Sequence, residues 1–315
     1  MKTPVLFIAF NRPEITKQTF EKIRRYQPTQ LFIAIDGPRK DKPDDSTKID
    51  EVKKIILNSI DWECDIKKRI QKNNLGCGYA PSEAISWFFE YVTQGIIIED
   101  DCICEEDFFS FCEKMLDAYQ KDEKVMHVAG SNFLKKTIHE NAYMSKYNPV
   151  WGWATWKRAW QHFSFDINYS SKEDFKAFEK EYVFSSKEKK QWKRIFEMIN
   201  HSQRKDIWDY QWTYHIWKNK GICIQSGKNL VSNIGFGKES THMRYLDYAP
   251  KVGYLPIEPL KTNKYIIKDS IAINYDTLVF KNYYDEFRPP LFRRIKNSLY
   301  KLSPPLYQKV KNIFR

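Results

Sequence analysis

Three consecutive carboxylates are the strongest candidates for chemistry in this sequence. Glu99, Asp100 and Asp101 directly follow the apolar run Gly95 to Ile98, and such a run is typical of a buried strand. Adjacent carboxylates at the end of a buried strand repel one another unless a hard divalent cation and phosphate oxygens complete the site. The triplet therefore predicts a metal and diphosphate site. The alternative is a solvated acidic loop that leads into a helix, because Glu105 to Asp107 follow closely.

Two further polar clusters also follow apolar runs, at Phe10 to Pro13 and at Asp36 to Arg39. The proline of the first cluster suits the first turn of a helix, so Asn11 and Arg12 are expected at a strand-to-helix corner. Arg12 could neutralise a phosphate or frame a base, or it could be an ordinary surface charge. Asp36 could accept hydrogen bonds from a base or ribose, or it could cap the turn that follows it.

The elements that must position these clusters alternate between short apolar runs and helical patterns. The predicted strands are Val5 to Phe10, Leu31 to Ile35, Asp65 to Gln71 and Ile96 to Ile98. The predicted helices are Pro13 to Tyr26, Thr47 to Ile60 and Pro81 to Thr93. This order predicts an α/β fold with a mainly parallel twisted sheet flanked by helices, and ligands that bind beyond the carboxyl ends of the strands. The glycine patterns of dinucleotide-binding domains and P-loop NTPases are both missing.

Length and composition indicate a folded protein with a sizeable core. The chain has 315 residues, of which 42% are hydrophobic and 29% charged, enough for one large domain or two small ones. The net charge is +12, but eight basic residues and no acid lie between Arg288 and Arg315, which leaves +4 for the rest of the chain. A role in nucleic-acid binding is therefore not expected of the folded body.

The sequence offers no membrane-spanning run of about 18 apolar residues. The apolar run at the N-terminus is too short for a signal peptide and lacks a cleavage site, so a cytoplasmic location is expected. The six cysteines show no spacing typical of disulfides or zinc sites, and free thiols in a reducing compartment are the prediction.

A cluster of tryptophans dominates the second half of the chain. In the segment that begins at Trp151, helical spacing separates Trp153, Trp156 and Trp160. This spacing predicts a helical stripe facing the core. Aromatic rings also suit the faces of sugars, and Trp151 and Gly152 are expected nearer a ligand. Other predicted elements are helices at Phe108 to Lys121, Lys172 to Asn200 and Asp206 to Asn219, and strands at Val125 to Ala129, Ile222 to Gln225 and Leu230 to Ser232.

The segments FNRP, DGPR and GIIIEDD together resemble the GT-A nucleotide-sugar glycosyltransferases, particularly bacterial relatives of the N-acetylglucosaminyltransferase I type. The resemblance implies that Asp101 holds Mn²⁺ (or Mg²⁺), which bridges the two phosphates of a UDP-sugar. Asp100 and Glu99 would support the metal's waters, the sugar hydroxyls or the ribose. Asp36 would contact the nucleoside, and the uracil would lie in the corner formed by Ala9, Phe10, Asn11 and Arg12.

The resemblance continues more loosely in the second half. Trp208 and Asp209 precede a predicted strand, as in that family, which implies that Asp209 is the catalytic base. Without the resemblance, a surface carboxylate on a helix is the preferred interpretation of Asp209. Trp151 and Gly152 match the segment that closes over the donor. The loop after Gly235 ends at His242, whose imidazole is either a metal ligand or structural. The glycines of Asn74 to Gly78 mark a turn or a close approach to the diphosphate.

The resulting prediction is a metal-dependent, inverting glycosyltransferase that moves a sugar from a UDP-sugar to a glycan or lipid-linked saccharide. The alternatives are a sugar-phosphate nucleotidyltransferase, or a protein of the same fold that binds glycans or a membrane surface without chemistry. The basic amphipathic tail is predicted to lie on an anionic membrane surface, on the inner face of the cell membrane; the alternative is a helix that packs on its own domain or on a second subunit. The predicted parts are a nucleotide-sugar-binding half at 1–107, an acceptor-binding and catalytic half of the same domain at 108–245, a wrapping extension at 246–287 and the tail at 288–315.

Overall fold

A computed structural model describes residues 2–134, 141–202, 205–235, 267–271 and 273–284. The strands are β1 (Val5–Ala9), β2 (Gln30–Ile35), β3 (Asp65–Ile70), β4 (Gln94–Glu99), β5 (Cys102–Cys104), β6 (Val125–Ala129), β7 (Ala142–Ser145), β8 (Trp153–Trp156), β9 (Ile222–Ser226), β10 (Val231–Asn233) and β11 (Ile267–Ile271). The helices are α1 (Pro13–Tyr26), α2 (Asp44–Asn58), α3 (Gly76–Tyr91), α4 (Glu106–Ala118), α5 (Lys157–Trp160), α6 (Glu173–Glu181), α7 (Ser186–Ser202), α8 (Asp209–Lys218) and α9 (Ile273–Val279), followed by a π-helical turn at Phe280–Tyr284.

The central sheet has nine strands in the order β11-β7-β9-β6-β8-β4-β1-β2-β3. Strands β3, β2, β1, β4, β6 and β9 run in one direction, whereas β8, β7 and β11 run against them. A second, two-stranded sheet joins β5 to β10. The predicted α/β fold with a mainly parallel sheet is therefore confirmed. The chain adds β2 and β3 on one side of β1 and β4 on the other, so the strand order reverses between β1 and β4.

The central strands form because their side chains are apolar on both faces. All five residues of β1 are buried, with Leu6 and Ile8 in one core cluster and Val5, Phe7 and Ala9 in another. This alternation follows from the two-residue period of a strand. By contrast, β3 has the sequence DIKKRI and is mostly exposed, as is usual for an edge strand protected by charge.

Helix α1 matches its prediction at both ends, but α3 begins at Gly76, before the predicted start at Pro81. The reason lies outside the local sequence. Asp36, at the end of β2, accepts hydrogen bonds from the N–H groups of Leu75 and Gly76 at 2.8 and 3.0 Å. A carboxylate distant in sequence therefore satisfies the backbone donors at the start of α3. Helix α2 also begins earlier than predicted, at Asp44.

Trp153, Trp156 and Trp160 are buried in the core as predicted, but the prediction that one helix carries all three is wrong. Trp153 and Trp156 belong to β8, which lies antiparallel between β4 and β6. Because side chains three residues apart in a strand point to opposite faces, Trp153 packs in one core cluster and Trp156 in the other. Periodicity could not distinguish the two structures, since nearly every residue of this strand is apolar and all four are buried. The predicted helix at Lys172 to Asn200 is likewise two helices, α6 and α7.

The C-terminal part of the chain is described only in places. Strand β11 pairs with β7 at the edge of the sheet and α9 follows it. His242 and the tail at 288–315 lie outside the described residues, and the division into four parts stays a prediction. No helix among the described residues is both long and apolar enough to cross a bilayer.

His127 is a buried histidine held neutral by its partners. Its Nδ1 lies 3.3 Å from Trp212 Nε1, and its Nε2 lies 2.9 Å from the carbonyl oxygen of Pro149. An indole N–H only donates and a carbonyl only accepts, so Nδ1 is unprotonated and Nε2 carries the hydrogen. Burial lowers the pKa of His127 from 6.5 to about 3, although the Pro149 carbonyl acts in the opposite direction.

His127 should make the protein less stable in acid. Its folded-state pKa is lowered, so as the pH falls from 6.5 towards about 3 the unfolded chain takes up a proton that the folded protein refuses. The free energy of unfolding then falls by about 1.4 kcal/mol per pH unit from this group alone. Urea unfolding at several pH values should show this slope in the difference between wild type and His127→Gln. Identical pH profiles for the two proteins would contradict the assignment, and His201→Gln, at an exposed site on α7, is the control.

Candidate active site at the strand-order reversal

The predicted site residues that follow β1 and β4 lie together where the strand order reverses. β1 ends beside Phe10 to Arg12, and β4 leads into Asp100 and Asp101. In open α/β sheets this crevice is where ligands bind. The residues Phe10, Asn11, Arg12, Glu99 and Asp101 are half-buried, and Asp100 is buried. The topology therefore brings the first and third polar clusters of the sequence together.

Arg12 forms an ion pair with both aspartates that follow β4. Its Nη2 pairs with Asp100 Oδ1, its Nε lies 3.4 Å from Asp100 Oδ2, and its Nη1 lies 3.0 Å from Asp101 Oδ2. Asp100 Oδ2 also accepts a hydrogen bond from the backbone N–H of Phe10 at 3.2 Å. Thr19 Oγ1, on α1, donates to the Asp100 carbonyl at 2.6 Å. Asp100 therefore fastens the end of β4 to the corner between β1 and α1.

Asp101 is covered by the last residue of β10 and by the two residues that follow it. Its Oδ1 accepts a hydrogen bond from Asn233 Nδ2 at 3.2 Å, and its carbonyl accepts one from the N–H of Ile234 at 2.8 Å. A Cβ on Gly235 would lie 2.1 Å from Asp101 Oδ2, so a larger residue here would have to displace the Asp101 carboxylate. The sequence pointed to the glycine loop, but nothing local indicated the role of Asn233.

Glu99 and Asp209 approach each other from different elements. Burial raises the pKa of Glu99 to about 8, the charges of Asp101, Asp100 and Asp209 add to the shift, and Arg12 opposes it. Asp209 is the first residue of α8. The predicted catalytic base therefore lies close enough to the end of β4 for its charge to act on Glu99.

The start of α3 packs against the segment that leads to Asp209. A Cβ on Gly78 would lie 2.0 Å from the carbonyl oxygen of Lys205, and Cys77 Sγ lies 3.1 Å from the carbonyl oxygen of Asp206. The pKa of Cys77 is raised, mainly by burial and further by Asp206, Glu99 and Asp209. The first turn of α3 thus packs the second half of the chain against the first, a contact that the sequence did not show.

Asp36 has the turn-capping role that the sequence left open. Its two oxygens accept four hydrogen bonds, from the N–H groups of Gly37, Leu75 and Gly76 and from Asn74 Nδ2, at 2.8 to 3.0 Å. A carboxylate has about four acceptor positions, so these contacts use its capacity. Contact between Asp36 and a nucleoside stays a prediction that would need one of these bonds to be exchanged.

The corner predicted to hold the uracil is supported from α2. Asp45 accepts hydrogen bonds from Asn11 Nδ2 at 2.6 Å and from Arg39 Nε at 2.7 Å. Arg39, and to a smaller extent Asn11, lowers the pKa of Asp45 to about 2, although burial opposes the shift. The Arg39 guanidinium lies 5.2 Å from the centre of the Phe10 ring. Ala9, the last residue of β1, is buried beneath this corner.

Trp151 and Gly152 lie next to the small sheet. Gly152 has φ +58°, and a Cβ there would lie 2.7 Å from Val231 Cγ2. Trp151 is half-buried, with its ring 5.1 Å from that of Phe133. Gly152 therefore supports β10, whose last residue, Asn233, holds Asp101. Contact between these two residues and a ligand stays a prediction.

Within the described ranges, no group of three or more His, Cys, Asp or Glu side chains is arranged so that it could hold a metal ion. A pocket of about 370 Å³ lies at the opposite edge of the sheet, lined by Thr3, Gln30 and Gln94 among others. It contains none of the predicted site residues.

The strand order and directions define an α/β protein with a mostly parallel central sheet, consistent with a Rossmann-like fold of the GT-A type. No protein-family model matches the sequence, and neither does any curated protein. Among solved structures, HddC from Yersinia pseudotuberculosis is 12% identical with a TM-score of 0.31, covering 50% of this chain and 77% of its own. UDP-glucose pyrophosphorylase complexed with UDP-glucose is 13% identical with a TM-score of 0.30, covering 51% and 79%.

A third structure, 4-diphosphocytidyl-2C-methyl-D-erythritol synthase from Anaerococcus prevotii, is 12% identical with a TM-score of 0.30, covering 62% of this chain and 84% of its own. TM-scores this low carry no argument about function. The fold class stands on the strand order and directions given above.

Proposed function

We propose that this protein is a metal-dependent, inverting glycosyltransferase that transfers a sugar from a UDP-sugar to a hydroxyl of a glycan or lipid-linked saccharide. The observation that carries the proposal is the pair of carboxylates Glu99 and Asp101 at the end of β4, together with the packing of the segment before Asp209 against the start of α3. One part of this site follows β4 and the other begins α8, and the charges of Asp209 and Glu99 interact.

The residues present fit a divalent cation of the Mg²⁺ or Mn²⁺ type. Such ions take oxygen ligands, and they are commonly held by one or two carboxylates together with substrate phosphates and water. Asp101 and Glu99 supply carboxylates at the carboxyl edge of the sheet. No described residue donates a hydrogen bond to the side chain of Glu99. When bound, the cation would stabilise the negative charge of the departing diphosphate.

The proposed chemistry assigns the proton to Asp209. Its carboxylate takes the proton of the acceptor hydroxyl while that oxygen forms a bond to the anomeric carbon. The bond between the anomeric carbon and the diphosphate oxygen breaks, and UDP leaves with the bonding electrons. Because Asp209 lies in the first turn of α8, the N–H groups there stabilise its negative charge. Inversion at the anomeric carbon follows from the family resemblance.

Asp101→Ala should abolish cation-dependent binding of the nucleotide. In the wild type, UDP at about 100 times its dissociation constant should add about 2.7 kcal/mol to the stability, seen as a higher melting temperature that requires Mn²⁺. The variant should lose the part that depends on Mn²⁺. Glu106→Ala, at an exposed position in the first turn of α4, is the matched control. GDP and CMP test the choice of base, and an unchanged Mn²⁺-dependent rise in Asp101→Ala would contradict the role of Asp101.

The products distinguish the proposed reaction from its alternatives. A glycosyltransferase releases UDP when donor and acceptor are mixed. A nucleotidyltransferase instead releases pyrophosphate from UTP and a sugar phosphate. UDP binding without either product would indicate a binding protein.

A further inference from the structure

Arg12 occupies a position that the proposed function alone does not explain. Its side chain is 20% exposed and contacts Asp100, which is 3% exposed, and Asp101, which is 15% exposed. The ion pairs and burial alter the pKa of Arg12 in opposite directions, and its pKa is raised overall. The guanidinium therefore stays charged, and it neutralises the carboxylate that the proposal gives to the metal.

Asp100 and Asp101 differ in the contacts of their carboxylate oxygens and in how far their side chains are exposed. Both oxygens of Asp100 face Arg12, and one also accepts the N–H of Phe10. Asp101 has Oδ2 on Arg12 and Oδ1 on Asn233, and it is the more exposed of the two. Asp100 is therefore the anchor of Arg12, whereas Asp101 is the partner that Arg12 can release.

We propose that Arg12 is the internal counter-ion of this site: it neutralises Asp101 until a divalent cation takes its place, so that the protein binds the cation weakly alone and tightly with the nucleotide. The inference rests on the proposed function and gives Arg12 the role of a positioning residue. It also deepens the function, because it makes the diphosphate a condition for binding the cation.

The physical reason is competition for one carboxylate oxygen. A cation that binds Asp101 Oδ2 approaches the positive charge of Arg12, whose Nη1 lies 3.0 Å from that oxygen. Because the side chains of this cluster have little exposed surface, water screens the repulsion between the cation and Arg12 poorly. A diphosphate supplies negative charge and accepts arginine donors well, so it offsets the repulsion. Cation and nucleotide should then strengthen each other's binding by the same factor.

The test frees Asp101 without leaving a buried charge uncompensated. The double variant Arg12→Met with Asp100→Asn removes one positive and one negative charge, so the net charge of the cluster is unchanged. Free Mn²⁺ is measured by electron paramagnetic resonance during a titration, with and without UDP. We expect the double variant to bind Mn²⁺ about tenfold more tightly than wild type without UDP, a difference of about 1.4 kcal/mol. A merely structural role would weaken binding.

Three further proteins make the result specific. Asp100→Asn alone leaves Arg12 to Asp101, so Mn²⁺ should bind no more tightly than in wild type. Arg24→Met removes an exposed arginine of α1 that pairs with Asp61, and it should match wild type. Arg12→Lys keeps the charge but loses the forked contact with both carboxylates. Arg12→Lys should tighten Mn²⁺ binding to a smaller extent than the double variant does. If the double variant fails to fold, Arg12→Lys tests the role of Arg12 instead.

The outcomes separate this inference from the proposed function. Unchanged or weaker Mn²⁺ binding without UDP, in a double variant that is folded by circular dichroism, would overturn the role of Arg12. The proposed function would still stand if wild type binds Mn²⁺ and UDP together. A wild type that binds neither, with or without the other, would overturn the proposed function itself.

Discussion

Asp209→Asn is expected to lower turnover by about 100- to 10,000-fold, the usual contribution of a positioned general base. Asn has nearly the shape of Asp but cannot take the proton of an acceptor hydroxyl. Because Asp209 begins α8 whereas Asp101 follows β4, the change should leave the binding of UDP and Mn²⁺ close to that of wild type. Release of UDP in the presence of acceptor measures turnover, and the thermal shift with UDP and Mn²⁺ measures binding.

A neighbouring carboxylate provides the control for this variant. Asp206 lies in the same segment, and its charge, like that of Asp209, acts on Cys77. Asp206→Asn should therefore reproduce any general electrostatic effect of removing an acid here while retaining the catalytic base. An Asp209→Asn enzyme as active as Asp206→Asn would rule out Asp209 as the base and direct attention to other carboxylates at the carboxyl edge.

The first half of the fold could be predicted because local patterns and long-range packing agree there. The apolar runs of β1 and β4 are buried in the sheet as predicted, and Pro13 starts α1 where its missing N–H costs nothing. The rule that parallel strands present their carboxyl ends at one edge was enough to bring Arg12 towards Asp101.

The parts of the site that were missed depend on contacts between distant segments. Asn233 reaches Asp101 because β10 pairs with β5, and neither short strand has a pattern that specifies its partner. The start of α3 depends on Asp36, about 40 residues earlier in the chain. Hydrogen bonds of this kind follow from the finished fold and leave no periodic signal in the sequence.

A second contact between distant segments is a buried ion-pair cluster that contains none of the predicted site residues. Lys146 is 2% exposed, and its Nζ lies 3.0 Å from Glu188 Oε1 and 3.8 Å from Asp276 Oδ2. It also donates a hydrogen bond to the carbonyl of Val183 at 2.6 Å. Tyr147 Oη donates to Glu188 Oε1 at 2.6 Å. One lysine thus connects β7, α7 and α9, and it is the counter-ion of two buried carboxylates.

Lys146→Met should lower the free energy of unfolding by about 3 to 5 kcal/mol, because removing one partner leaves buried charge uncompensated. Asp276 already has a pKa raised to about 6, mainly by burial, although Lys146 opposes the shift. Without Lys146 its pKa should rise further. A group with a raised folded-state pKa loses stability as the pH rises through that value, so the variant should lose more at about pH 8 than at about pH 5.

The control for Lys146→Met lies on α7. Lys189 pairs with Glu179 at the surface, and Lys189→Met should cost less than about 1 kcal/mol in the same urea titration. Adding Glu188→Gln to Lys146→Met should restore part of the loss, because it removes one of the two stranded carboxylates. A loss that is independent of pH and unaffected by Glu188→Gln would mean that Lys146 acts through the packing of its carbon chain, and that its charge contributes little.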